Sequence, residues 1–158
     1  MKMKTIKTIL WMIALMLVPI SFVACSDDDD DDESSSGSSS DLVGTWVSYF
    51  YAEEEYVNGT RVSIEDSYDE DLMAVFNEDG TGISYEYYSN SWHAGESFTW
   101  WLSGDYLYNQ YDEDEIVVAT VTELTSTKLQ LMSTESYTSG GNVYMTAYIV
   151  YYKKQSEE

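Results

Sequence analysis

The chain has 158 residues, with 29 acidic against seven basic side chains and a formal net charge of −22. That balance excludes a protein that grips phosphates through clustered Lys and Arg, so no nucleic-acid partner is expected. The single cysteine, Cys25, excludes a disulfide framework within the monomer.

The first element in chain order is an export segment. Lys2, Lys4 and Lys7 precede an apolar run over residues 9–18 that ends at Pro19. This is the layout of a secretory signal peptide, here assigned to residues 1–24. Crossing a bilayer takes about 20 apolar residues, so the run is short for a permanent anchor. Phe22-Val23-Ala24-Cys25 resembles the lipobox of bacterial lipoproteins, in which the cysteine receives a diacylglyceryl group. The resemblance implies that the protein is held to a membrane through Cys25. Ordinary cleavage between Cys25 and Ser26 is the alternative, and it would release a soluble protein.

Ser26 is followed by six aspartates, Asp27 to Asp32. This run resembles the signal by which some Gram-negative bacteria send lipoproteins to the outer face of the outer membrane. It implies an outer-membrane, cell-surface location. As plain charge, the same run is a solvated, self-repelling spacer. Residues 25–40 thus read as a lipidated cysteine followed by an acidic, Ser-rich tether. Beyond Cys25 the tether has no apolar residue to pack, so disorder is expected. Its reach is at most roughly 50 Å, at about 3.3–3.6 Å per residue. The aspartates lack the Gly and closing Glu spacing of an EF-hand, so no metal is assigned to them.

Residues 41–158 form one domain of ordinary size. It has no proline and holds all 15 tyrosines, a composition that favours strands. Strand character begins over residues 43–51, where Trp46, Ser48 and Phe50 alternate with Val47, Tyr49 and Tyr51. Residues 61–64, after the Asn58-Gly59 turn, read as a short strand or a lid-like loop. Residues 72–76 and 81–88 form a hairpin on the Asn77-Glu78-Asp79-Gly80 turn. Residues 97–102 and 106–111 follow across Ser103-Gly104-Asp105, and residues 115–122 and 128–135 across Leu124-Thr125-Ser126. The last strand, residues 143–152, follows Ser139-Gly140-Gly141-Asn142.

These are eight strands joined mostly by tight turns, so sequence neighbours should be antiparallel neighbours. A long apolar last strand left at an edge would invite aggregation, which makes closure onto the first strand attractive. A two-sheet sandwich is the rival. An eight-stranded barrel has room inside for packed side chains or one small ligand.

Three stretches carry a resemblance to the lipocalin-like family: Gly44-Thr45-Trp46, Phe76-Asn77-Glu78-Asp79-Gly80-Thr81, and Leu124-Thr125-Ser126-Thr127-Lys128-Leu129-Gln130-Leu131. The chain resembles a bacterial lipocalin-like lipoprotein. This implies an all-β domain, an eight-stranded antiparallel up-and-down barrel. It also implies that Trp46 packs at the closed end against a basic residue from the end of the last strand, Lys153 or Lys154.

Candidate ligand-binding residues inside the barrel are Trp46, Phe50, Phe76, Tyr85 and Trp100. Adjacent strand residues face opposite ways, so Trp100, in phase with Phe98 and Leu102, points in and Trp101 out. Trp101 with Tyr49, Tyr51, Tyr144, Tyr148 and Tyr152 would make an aromatic outer surface. His93, the only histidine, reads as a loop residue beside Trp92, and Asp112-Glu113-Asp114-Glu115 as a polar turn. No catalytic residue, metal ligand or cofactor is expected. The expected function is a non-catalytic, lipid-anchored envelope protein holding a small, partly apolar ligand in its barrel. The alternative is a surface interaction or adhesion module that meets a glycan or a protein through its outer aromatic residues.

Overall fold

The computed structural model describes residues 38–156. The signal peptide, Cys25 and nearly all of the tether lie outside the described residues. The chain enters through a single helical turn, α1 (Ser39–Leu42), and continues as nine strands: β1 (Gly44–Val57), β2 (Thr60–Ser67), β3 (Leu72–Phe76), β4 (Thr81–Tyr88), β5 (Ser91–Ser103), β6 (Tyr106–Gln110), β7 (Ile116–Leu124), β8 (Lys128–Ser139) and β9 (Asn142–Lys154). Ser38 caps the turn: its backbone N–H donates to Asp41 and its hydroxyl accepts from the Ser40 N–H, a capping-box arrangement.

Every strand pairs antiparallel with its neighbour, and β1 also pairs with β9 along almost its whole length. Eight strands therefore close into a barrel, as the strand count predicted, and the sandwich is excluded. The ninth is β2, the segment whose nature the sequence left open. It is a full strand, because Asn58 and Gly59 both take positive φ (51° and 79°), the turn that matches the twist of a tight hairpin. Strand β1 serves two neighbours on one edge. Its first residues pair with β3, and from Tyr51 onward it pairs with β2. Asn58 also donates to Asn142 (2.8 Å) and accepts from the Val143 N–H (2.9 Å), tying the tip of the β1–β2 hairpin to the tip of the β8–β9 hairpin.

One end of the barrel is packed solid. Leu42, Trp46, Phe76, Phe98, Trp100, Leu107, Leu124 and Leu129 form a buried cluster there. These come from α1 and from strands spread around the barrel, so burying them closes it. The Trp46 indole donates to the Leu42 carbonyl (2.7 Å), which seats α1 as a plug. Lys154 places its ammonium 5.1 Å from the Trp46 ring centroid and donates to the Asp41 carbonyl (2.9 Å). Of the two lysines considered, Lys154 takes the place beside the tryptophan. Lys153 points away and pairs with Glu70.

Gly82 shows how tightly this end is filled. A Cβ there would run into the Phe98 ring. Phe98 in turn stands edge-on to Phe76, at 5.5 Å between centroids, and Trp100 does the same at 5.6 Å.

Candidate functional site

Above the packed cluster, the inner face changes character along β1, β2, β8 and β9. The change begins with a β-bulge. Ser48 pairs with Tyr152, but the next matched pair is Phe50 with Tyr151, so Tyr49 is the extra residue. A bulge reverses which side the following residues face. Tyr51 consequently shares a row with Val150 and Leu131, and Leu131 packs on the core. From Tyr51 on, the odd-numbered residues of β1 look inward.

The rows above follow from the register. Glu65, Glu53, Tyr148 and Ser133 form one, and Ser63, Glu55, Thr146 and Glu135 form the next. Carboxylates thus face each other directly across β1 and β2 at Glu53 and Glu65, an unfavourable pairing when nothing lies between. Burial, then Glu65 and Glu55, push the Glu53 carboxyl above its usual range. Burial, then Glu135 and Glu53, push the Tyr148 phenol up in the same way. Beside Ser48, at the entry to β3, Asp71 is raised by burial, then by Asp69 and Glu86. The Tyr51 hydroxyl and Asn109 Oδ1 are both sealed from solvent without a hydrogen bond of good geometry, the Tyr51 phenol lying beside the Glu53 carboxyl. Burying such atoms unpaired is costly.

No basic side chain of the described domain answers this charge. Arg61 is paired with Glu54 on the opposite face (2.6 Å). Lys153 is paired with Glu70, and Lys154 lies at the closed end. Lys128 stands opposite Lys153, at the far end of β8 from the mouth. The mouth is therefore anionic, aromatic and without internal counter-charge.

The candidate lining residues divide. Trp46, Phe76 and Trp100 are inside, and all three are buried in the solid end. Phe50 is on the outer face, against Tyr68 (4.7 Å) and Tyr151 (5.1 Å). The bulge at Tyr49 moved it there, and strict alternation from Trp46 cannot foresee a bulge. Tyr85 is also outside. It pairs with Met73, which pairs with Val47, whereas the inward residues of these strands are Trp46, Ala74 and Ser84. On β4 the large side chains Ile83, Tyr85 and Tyr87 face out, because the inward place at Gly82 is occupied by the Phe98 ring from the next strand.

Trp101 faces out as expected, stacked on Tyr108 at 5.0 Å with planes 5° apart. Tyr49 is outside too. Tyr51, Tyr148 and Tyr144 share the inner face, and Tyr152 packs on the core, so the expected ring of outer tyrosines is largely an inner one. His93 lies within β5, opposite Glu86, and stacks on Tyr88 at 3.7 Å. It is a strand residue because Ser89 and Asn90 both take positive φ (53° and 62°) and make the hairpin turn earlier than the loop reading allowed. Asp112 Oδ1 accepts from the N–H groups of Asp114 and Glu115 (both 2.9 Å), the behaviour of a turn residue.

Tyr51, Glu53, Glu65, Glu135 and Tyr148 are the residues that alternation alone missed. The Asn58-Gly59 turn was the available signal, since a hairpin there makes β2 a strand and sets Glu65 opposite Glu53.

The model of the lipocalin-like domain family matches residues 42–131. No curated protein matches the chain. Among solved structures, the chain is similar to a lipocalin-like protein from Bacteroides uniformis ATCC 8492. The two share 11% identity at a TM-score of 0.47, over 73% of this chain and 99% of the other. It is similar also to an uncharacterized protein from Bacteroides eggerthii DSM 20697, with 13% identity at a TM-score of 0.43, over 72% of this chain and 98% of the other. The closed eight-stranded barrel, the Trp46–Lys154 contact and the family match over more than half of the sequence lead to one conclusion: this chain belongs to the lipocalin-like domain family.

Proposed function

We propose that this protein is a non-catalytic, lipid-anchored binding protein of the bacterial outer surface. Its ligand is small and partly apolar, carries a cationic group, and enters at the open end of the barrel. The observation that carries the ligand's charge is the mouth itself, where Glu53 and Glu65 face each other beside Tyr51 and Tyr148 with no internal cation. An ammonium group placed there would relieve the carboxylate repulsion and meet aromatic faces. The apolar remainder would lie toward Val150 and Leu131, below the acidic rows.

The anchor rests on Cys25 and its lipobox, and the surface location on the aspartate run. One acyl chain holds a protein only marginally, whereas several hold it stably. Labelled palmitate should enter the wild type and not Cys25→Ala, and protease shaving of intact cells should remove the domain. Equal labelling of the two proteins would overturn the anchor, and a domain that survives shaving would overturn surface display.

Native mass spectrometry of the protein purified from its host tests the ligand. An amine-bearing, partly apolar adduct is expected. Calorimetry should show dodecylamine binding in preference to dodecanoate, with Glu53→Gln weakening the amine. Preference for the carboxylate would overturn the reading.

A further inference from the structure

A recess lies on the outside of the barrel, on β4, β5 and β6, with a volume of about 700 Å³. Its floor is set by strand register. Thr81, Thr99 and Gln110 stand side by side across the three strands. They point outward because Thr99 alternates with the buried Phe98 and Trp100. Ser97 and its cross-strand partner Ile83 continue the floor, Gly82, Phe98 and Tyr111 complete it, Asn77 borders it, and Asp112 and Glu113 rise beside it. The Ser97 and Thr99 hydroxyls and the Gln110 carboxamide make no side-chain hydrogen bond with another described residue. They are free to serve a ligand.

The same outer face supplies an aromatic wall. One row beyond Thr99 and Gln110 comes the pair Trp101 and Tyr108, stacked with nearly parallel rings. Residues two apart on a strand are about 7 Å apart, so this pair stands next to Thr99 and Gln110, just outside the lining of the recess. Trp101 is 39% exposed although it is stacked on one side.

We propose that this groove binds a neutral oligosaccharide. The volume lies within the range of small-ligand sites. Hydroxyl and carboxamide groups exchange hydrogen bonds with sugar hydroxyls in either direction. Asp112 and Glu113 accept from further hydroxyls and repel uronate, sulfate or phosphate groups. The recess holds no basic side chain to offset that repulsion. The exposed indole offers an apolar face to the C–H side of a sugar ring. The groove opens on the outer wall and stays accessible when the barrel mouth is filled. It is a site separate from the one proposed above.

The test is calorimetric titration of the full lipidated protein, in a detergent without a sugar head group. The probes are malto-, cello-, xylo- and mannohexaose, with hexagalacturonate as the anionic comparator. At least one neutral hexaose should bind and change the tryptophan fluorescence. Gln110→Ala, Trp101→Ala and Thr99→Arg should each weaken it by about tenfold or more. Thr99 is exposed, so Thr99→Arg should melt at the wild-type temperature and block the groove without unfolding the barrel. Absence of binding by all four neutral probes would overturn the proposal. So would affinity unchanged in Thr99→Arg and Gln110→Ala, or hexagalacturonate binding as tightly as the neutral sugars.

Discussion

The Lys154 ammonium sits 5.1 Å from the centre of the Trp46 ring, joining the end of the last strand to the start of the first. The same ammonium donates to the Asp41 carbonyl, so one cation holds β1, β9 and α1 together at the closed end. A cation over an indole contributes about 0.5–2 kcal/mol, more when desolvated. Lys154→Met, which keeps the apolar stem, should therefore cost about 1–2 kcal/mol in urea denaturation. A cost near zero would show that the stem alone does the packing.

Gly82 leaves room for the Phe98 ring. Gly82→Ala should destabilise by about 1–3 kcal/mol, the usual range for overpacking. The obstruction is the ring together with the Val75 carbonyl oxygen, 2.7 Å from the added Cβ, so Phe98→Leu in the same chain should recover only the ring's part of that loss. Thermal melts of the two single variants and the double variant would measure the coupling. Simple additivity would place the strain at the Val75 carbonyl.

Ser48 is 2% exposed. Its hydroxyl donates to the Asp69 carbonyl and accepts from the Leu72 N–H, both at 3.1 Å. It stands just before the bulge and ties β1 to the segment entering β3. Ser48→Ala leaves both backbone groups unmet, at a cost of about 1–3 kcal/mol. Faster amide exchange at Leu72 is expected with it.

Glu53 should make stability depend on pH. Its carboxyl is raised by burial, then by Glu65 and Glu55, so the fold favours its protonated form. Its contribution is fully present below the ordinary carboxylate value of about 4.3 and is lost as pH rises through the raised value. Glu53→Gln should therefore stabilise the free protein at pH 7, by about 0.2–1 kcal/mol for removing a facing like-charge pair. Little gain is expected at pH 3.5. Urea titrations at the two values check the sign, and equal gains at both would remove the carboxylate pair as the cause.

Tyr51→Phe separates binding from folding. The sealed hydroxyl makes no hydrogen bond of good geometry but lies beside the Glu53 carboxyl, so its removal should change the stability of the ligand-free protein by less than about 1 kcal/mol. Affinity for dodecylamine should fall. A loss well above about 1 kcal/mol would mean that the hydroxyl donates a full hydrogen bond to Glu53 in solution.

The all-β architecture, most strand positions and the barrel closure were readable from residue order, because turn residues and alternating side chains are local signals. The hairpin over residues 72–88 and the inward placement of Trp100 follow from turn chemistry and alternation alone. So does the outward placement of Trp101. The Trp46–Lys154 contact followed from family resemblance, and spacing could not supply it. Only the folded chain decided which residues line the mouth. One extra residue at Tyr49 reverses every later side chain of β1, so Phe50 leaves the interior and Tyr51 and Glu53 enter it. The Phe98 ring takes the space beside Gly82 and sends Tyr85 outward. Alternation is a property of one strand, whereas a bulge or a borrowed space depends on what the neighbouring strand already holds.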